Sequence, residues 1–252
     1  MTERGRGSDP QSGERRRTPG IIVALLAVGF LGLVGSQWRE RQHVSSVVIN
    51  GVTGLSGEAV RAVADTFQGR QIRTLDFAAI RDLVESLPYV KDASVHLTGV
   101  RDLAVDIVER QPIAHVVMED GSLRYLDADG RVLPPTQVRT AHNVPVLQPT
   151  GSGTLTATEL KMLATALVEG RQTLDPSLFQ SVSEVRLDRA TNEIVVVTER
   201  SNWRMRSDGD VHRAFADMNV FWVTTGTRLD LAGVVEIDVR WSNQVVLRRS
   251  NT

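Results

Sequence analysis

The feature that most constrains this chain lies near its start. Residues Thr18–Trp38 carry no charge, and their apolar heart is Ile21–Val34. As a helix the segment is roughly 31 Å long, matching the ~30 Å hydrocarbon core of a bilayer. A helix is the form to expect, because lipid cannot satisfy open backbone groups. Arg15, Arg16 and Arg17 stand directly in front, and cytoplasmic flanks are the ones rich in Lys and Arg. The expectation is a cytoplasmic tail at 1–17 and an uncleaved signal anchor at 18–38, oriented by Arg15–Arg17. Everything from Arg39 onward then lies outside the cytoplasm, on a single-pass protein of the inner (plasma) membrane whose lipid contact is 18–38. A cleaved signal peptide is the competing account, although Val34-Gly35-Ser36 is a poor small-residue cleavage site.

Composition narrows the chemistry of the outer part. The chain has no cysteine, which removes disulfide frameworks, thiol nucleophiles and Cys-ligated metals. A net charge of -1 supplies no global basic field for nucleic acid. The five histidines, at 43, 96, 115, 142 and 212, show no metal-site spacing. Asp127-Ala128-Asp129-Gly130 faintly resembles a calcium loop, but the twelfth position is Val138 rather than Glu. No phosphate loop or nucleophile elbow is present. The expectation is a protein that is not an enzyme, with no cofactor, no metal, no nucleic acid and no small-molecule substrate.

Periodicity divides the outer part in two. Val44–Asn50 reads as a strand ended by Asn50-Gly51. Ser56 is placed to cap a helix to about Thr66, with Val60, Val63, Ala64 and Phe67 on one face. Asp76 caps a second helix, with Phe77, Ile80, Leu83, Val84 and Leu87 inward, and Pro88 stops it. Strands follow at Tyr89–Leu97, where Lys91 interrupts the apolar set, and at Leu103–Glu109. Leu83, Val95 and Ile107 are expected in one core. Two one-faced helices must then cover one face of a three-stranded sheet, giving an α+β module over 44–112.

The remainder, 113–249, reads as a β-rich α+β domain. Short strands are expected at Ile113–Met118, Leu123–Leu126 and Arg131–Leu133, with type I′ turns at Asp120-Gly121 and Asp129-Gly130. Pro134–Gly153 reads as a loop and Thr156–Glu169 as a helix with Leu160, Leu163, Ala164 and Leu167 inward. Strands return at Val182–Asp188, Ile194–Thr198 and Trp203–Ser207, and Val211–Thr224 leans to helix. A last hairpin, Val234–Trp241 and Val245–Arg248, turns around Ser242-Asn243-Gln244. A chain without catalytic equipment works through a surface, and an open sheet edge is the ready-made one. Trp241 has two readings, an exposed contact or a core residue of an alternating strand.

Several stretches resemble the bacterial cell-division family FtsQ/DivIB. They are Val44–Leu55, Leu87–Val95 (LPYVKDASV), Leu103–Ala114 (LAVDIVERQPIA), Tyr125–Leu133 (YLDADGRVL) and Ile237–Trp241 (IDVRW). The resemblance implies that 44–112 is a POTRA domain followed by a C-terminal β domain. It also implies a non-enzymatic scaffold of the division septum that binds FtsB and FtsL and, through them, the septal peptidoglycan synthase. The site it implies is the C-terminal strand region: Trp241, Asn243, Val245, Leu247 and Arg248, with Arg200 near a family arginine that meets an acidic partner group. Two other readings stay open: a POTRA-bearing module of protein export or outer-membrane assembly, and a membrane-tethered cell-wall enzyme.

Overall fold

The computed structural model describes residues 23–33, 42–135, 142–226 and 233–250. Arg15, Arg16, Arg17 and both ends of 18–38 lie outside them. Residues 23–33 form a helix, α1, whose large apolar side chains are 64–69% exposed. No helix among the described residues is long and apolar enough to cross a membrane.

The next unit is built on a three-stranded sheet. Its elements are β1 (Ser46–Asn50), α2 (Gly57–Asp65), α3 (Phe77–Glu85), β2 (Val90–Leu97) and β3 (Asp102–Glu109), and the strand order is β1-β3-β2. β1 pairs parallel and β2 antiparallel with β3. Val60 and Ala64 of α2 and Ile80 and Val84 of α3 are buried. Val60, Ile80 and Val84 join Leu103, Val105 and Ile107 of β3 in one core. The Asp76 carboxylate accepts from the Ala78 and Ala79 amides, as a helix cap should.

Three local expectations are corrected. Leu83 is 46% exposed, because the short α3 meets the sheet through a narrow stripe, Ile80, Val84 and the partly buried Leu87. Ser56 occupies the N-cap position of α2 without a side-chain cap bond; its hydroxyl donates to Glu109 instead. Lys91 breaks the alternation because a bulge between Val90 and Asp92 inserts one residue. Val90 and Ala93 can then both face the core.

The second unit is a nine-stranded sheet in the order β12-β11-β10-β9-β8-β7-β4-β5-β6. The strands are β4 (Pro112–Val117), β5 (Leu123–Asp127), β6 (Val132–Leu133), β7 (Val146–Pro149), β8 (Val182–Asp188), β9 (Glu193–Thr198), β10 (Asn202–Arg206), β11 (Val234–Asp238) and β12 (Val246–Arg249). Helices α4 (Ala157–Thr173), α5 (Pro176–Gln180) and α6 (Val211–Phe221) supply its helical layer. Leu160, Leu163, Leu167, Phe215 and Met218 bury against Trp203, Met205, Ile194 and Ile237 of the sheet. A reciprocal capping box of Thr156 and Glu159 starts α4. Hydrogen bonds from Arg189 hold the Glu159 carboxyl down to about 2. The stretch expected as a loop, 134–153, contains β7, which pairs parallel with both β4 and β8.

The two early turns also differ from expectation. A type I′ turn needs positive φ at both central residues, and only Gly121 and Gly130 are positive, at 76° and 79°. Gly121 N donates to Met118 O and Met118 N to Ser122 O, the pattern of a turn followed by a one-residue bulge at glycine.

Arg110 joins the two units. Its Nη1 donates to Asp127 at 2.7 Å and to Asp129 at 3.1 Å, and its Nε to Val90 O at 3.1 Å. Tyr89 donates its hydroxyl to Pro134 O alongside.

Candidate partner-docking edge

The polar face of the second sheet is assembled from strands that alternate charge with apolar bulk. In β10, Trp203 and Met205 point to the core while Arg204 and Arg206 point away. Glu236 of β11 alternates in the same way with buried Ile237. A ladder of opposite charges results. Arg204 donates to Glu193 Oε2 at 2.6 Å and to Glu236 Oε2 at 2.7 Å. Arg240 donates to Glu193 Oε1 and, through Nε, to Asp238 at 2.9 Å. Arg248 of β12 adds a looser contact, 3.7 Å to Glu236.

The electrostatics follow from these pairs. Hydrogen bonds to Asp238 push the Arg240 guanidinium further up, against burial. Burial pushes the Asp238 carboxyl up, and hydrogen bonds from Arg240 outweigh it and hold it below its ordinary value. These charges stabilise one another across β9, β10 and β11. At the margin, Arg248 and Arg249 are exposed.

β12 is that margin. It pairs antiparallel with β11 and, among the described residues, has no strand beyond it. The turn leading into it holds Asn243 at φ 57°, a left-handed conformation that asparagine tolerates better than most residues. Trp241 is 58% exposed, so the core reading of this tryptophan is replaced by an exposed one. Val245 and Leu247 are half-buried against the core, whereas Val246 and Arg248 are exposed. The inward pair seats the strand, and the outward pair faces solvent.

The structure gathers Trp241, Asn243, Val245, Leu247 and Arg248 into one hairpin and leaves Arg200 elsewhere. Arg200 sits in the β9–β10 turn with its guanidinium 5.8 Å from the Trp222 ring centroid. The register pairs Asn202 with Glu236 and Val234 with Arg249. Arg200 therefore lies toward the far end of β12, about 17 Å of strand away from the Trp241 turn. The charge ladder was not singled out from the sequence, although the alternation in Asn202–Arg206 carries its signal. Among the described residues, no group of three or more His, Asp or Glu side chains is placed to hold a metal ion.

The profile of the family described as POTRA domain, FtsQ-type matches residues 42–110, the span of the three-stranded unit. Three curated relatives carry the name Cell division protein FtsQ. That of Zymomonas mobilis is 29% identical over 141 residues, covering 50% of this chain and 44% of its own. That of Salinibacter ruber is 31% identical over 117 residues, covering 46% and 44%. That of Rhodothermus marinus is 33% identical over 127 residues, covering 50% and 46%. Over the spans these matches cover, the chain resembles the FtsQ/DivIB family. Each match spans less than half the length of the relative, and the unit over 42–110 is an FtsQ-type POTRA domain within a mixed α+β chain.

Proposed function

We propose that this chain is a non-enzymatic scaffold of the bacterial division septum, anchored by one membrane helix and working through its outer domains. In this reading the POTRA domain occupies 44–112 and the β domain 113–249. α1 is part of a transmembrane anchor at 18–38, with Arg15–Arg17 keeping the N-terminus in the cytoplasm. Support for the anchor comes from an apolar helix whose side chains are exposed on every side, a surface that water disfavours and lipid accepts. Support for the septal role comes from the names of the relatives.

The observation that carries the docking role is the open edge at β12, flanked by an exposed Trp241. An edge strand presents unpaired N–H and C=O groups to an incoming strand, and exposed side chains select the partner. FtsB is the occupant proposed, with FtsL and the peptidoglycan synthase complex reached through it. Exposed Arg248 and Arg249 favour an acidic segment and speed its encounter.

The test is capture of FtsB by the full chain in detergent-solubilised membranes. Leu247→Pro removes one outward-facing edge amide and should abolish capture, while Trp241→Ala should weaken it at least tenfold, as for a central aromatic anchor. Undiminished capture by both variants would remove the β12 edge from consideration.

A further inference from the structure

We propose that the end of the POTRA domain nearest α1 docks onto a membrane surface carrying anionic phospholipid headgroups. The proposal rests on the reading of α1 as a membrane anchor. Residues 34–41 span at most about 29 Å even when fully extended, so the point where the chain enters the domain stays close to the end of α1. Two loops are fastened to that point. Val44 N donates to Arg70 O at 2.9 Å, Gly69 N to Val44 O at 2.9 Å and Ile72 N to Gln42 O at 3.0 Å. On the other side Ser45 N donates to Arg101 O at 2.8 Å, and Arg101 Nε to His43 O at 3.3 Å.

These loops carry a cationic rim around an apolar tip. Arg70, Arg73 and Arg101 are exposed, and Val100, at the β2–β3 turn, is 61% exposed. The carboxylate of the same turn, Asp102, is half-buried and accepts from the Ser45 and Ser46 hydroxyls at 3.0 and 2.6 Å. The Arg70 guanidinium sits over the Phe67 ring, 5.5 Å from its centroid. Guanidinium forks match phosphate oxygens, and a small apolar tip suits the boundary beneath the headgroups. The field of an anionic leaflet fades within a Debye length, about 8 Å at physiological salt. Only cations held close to the bilayer feel it, and these three sit on the loops tied to the entry point.

The chain has no cysteine, so single labels can be placed at will. Full-length protein with a spin label at Val100→Cys, at Leu26→Cys or at Gln244→Cys is placed in nanodiscs of phosphatidylcholine, with and without about 30% phosphatidylglycerol. Accessibility to oxygen is compared with accessibility to a water-soluble nickel chelate. The label at 26 should report lipid in both discs and the label at 244 water in both. The label at 100 should move from water to the interface only with phosphatidylglycerol, and about 0.5 M salt should release it. Arg73→Gln should lower the docked-to-free ratio roughly fivefold. A label at 100 as aqueous as that at 244 in anionic discs, with the label at 26 in lipid, overturns the docking and leaves the anchor standing. A label at 26 in water overturns the anchor and the docking together. The lipid comparison uses the native arginines and so does not depend on how a variant folds.

Discussion

Glu109 ends β3, and its carboxylate organises the loop between β1 and α2. It accepts from the backbone amides of Thr53 at 3.1 Å and Ser56 at 2.8 Å, and from both hydroxyls. Burial pushes the Glu109 carboxyl up, but these four donors outweigh it and hold it below the ordinary glutamate value. The folded state therefore prefers the ionised form more than the unfolded chain does. Its contribution is fully present above the unfolded value, about 4.3, and is lost as pH falls through the lowered folded value. Glu109→Gln replaces an acceptor by an amide that also donates. It should cost about 1–3 kcal/mol at pH 7, measured by urea denaturation, and the deficit should shrink toward pH 3. A deficit independent of pH would mean the charge is not what matters there. The neighbouring Arg110 turns the other way, to Asp127 and Asp129, so two consecutive side chains serve two different units.

At the scale of elements, a contrast within α3 follows from its narrow buried stripe. Ile80→Ala should cost roughly 2–5 kcal/mol, whereas Leu83→Ala at an exposed site should stay within about 0.5 kcal/mol, both read from denaturation midpoints. The β5–β6 turn offers a second contrast. A Cβ at Gly130 would lie 2.7 Å from the Lys161 backbone of α4, while one at Gly121 would meet nothing. Both substitutions to Ala pay the left-handed penalty of about 1–2 kcal/mol. Gly130→Ala should lose a further 1–3 kcal/mol or so, because helix or turn must move; equal losses would show that the turn is free to shift. The Asp76 cap, the helix starting at Thr156 and the alternating strands were legible because caps and periodicity are local signals, whereas the Thr156–Glu159 capping box was passed over. β7 was not, because Val146–Pro149 is short, follows a proline, and becomes a strand only by parallel pairing with two strands distant in sequence. The edge at β12 could be anticipated from element order, but the separation of Arg200 from Trp241 is a matter of register, which composition does not encode.

At the scale of the whole molecule, the Arg110 clasp makes a prediction about shape. Asp127 is almost wholly buried, and Arg110 also holds Val90 O of the POTRA domain. Arg110→Gln removes the charge partner and should loosen the joint more than it destabilises either core. Small-angle scattering should show a larger radius of gyration, and hydrogen exchange at Val90 and Asp129 should quicken while β3 and β9 stay protected. An unchanged scattering profile would place the joint's stiffness elsewhere. The strand order of the large sheet has its own consequence. From β7 to β12 each new strand lies beside its predecessor, so pairing can follow the order in which residues emerge from synthesis or export. No strand from β8 onward must wait for one made later, which favours sequential folding. At every stage the strand just added is the exposed margin of the growing sheet, and it differs in side chains from the finished one. A partner that reads Trp241 and Arg248 would thereby distinguish the finished sheet from a partly built one, so docking at this edge would report that the last described strand is in place.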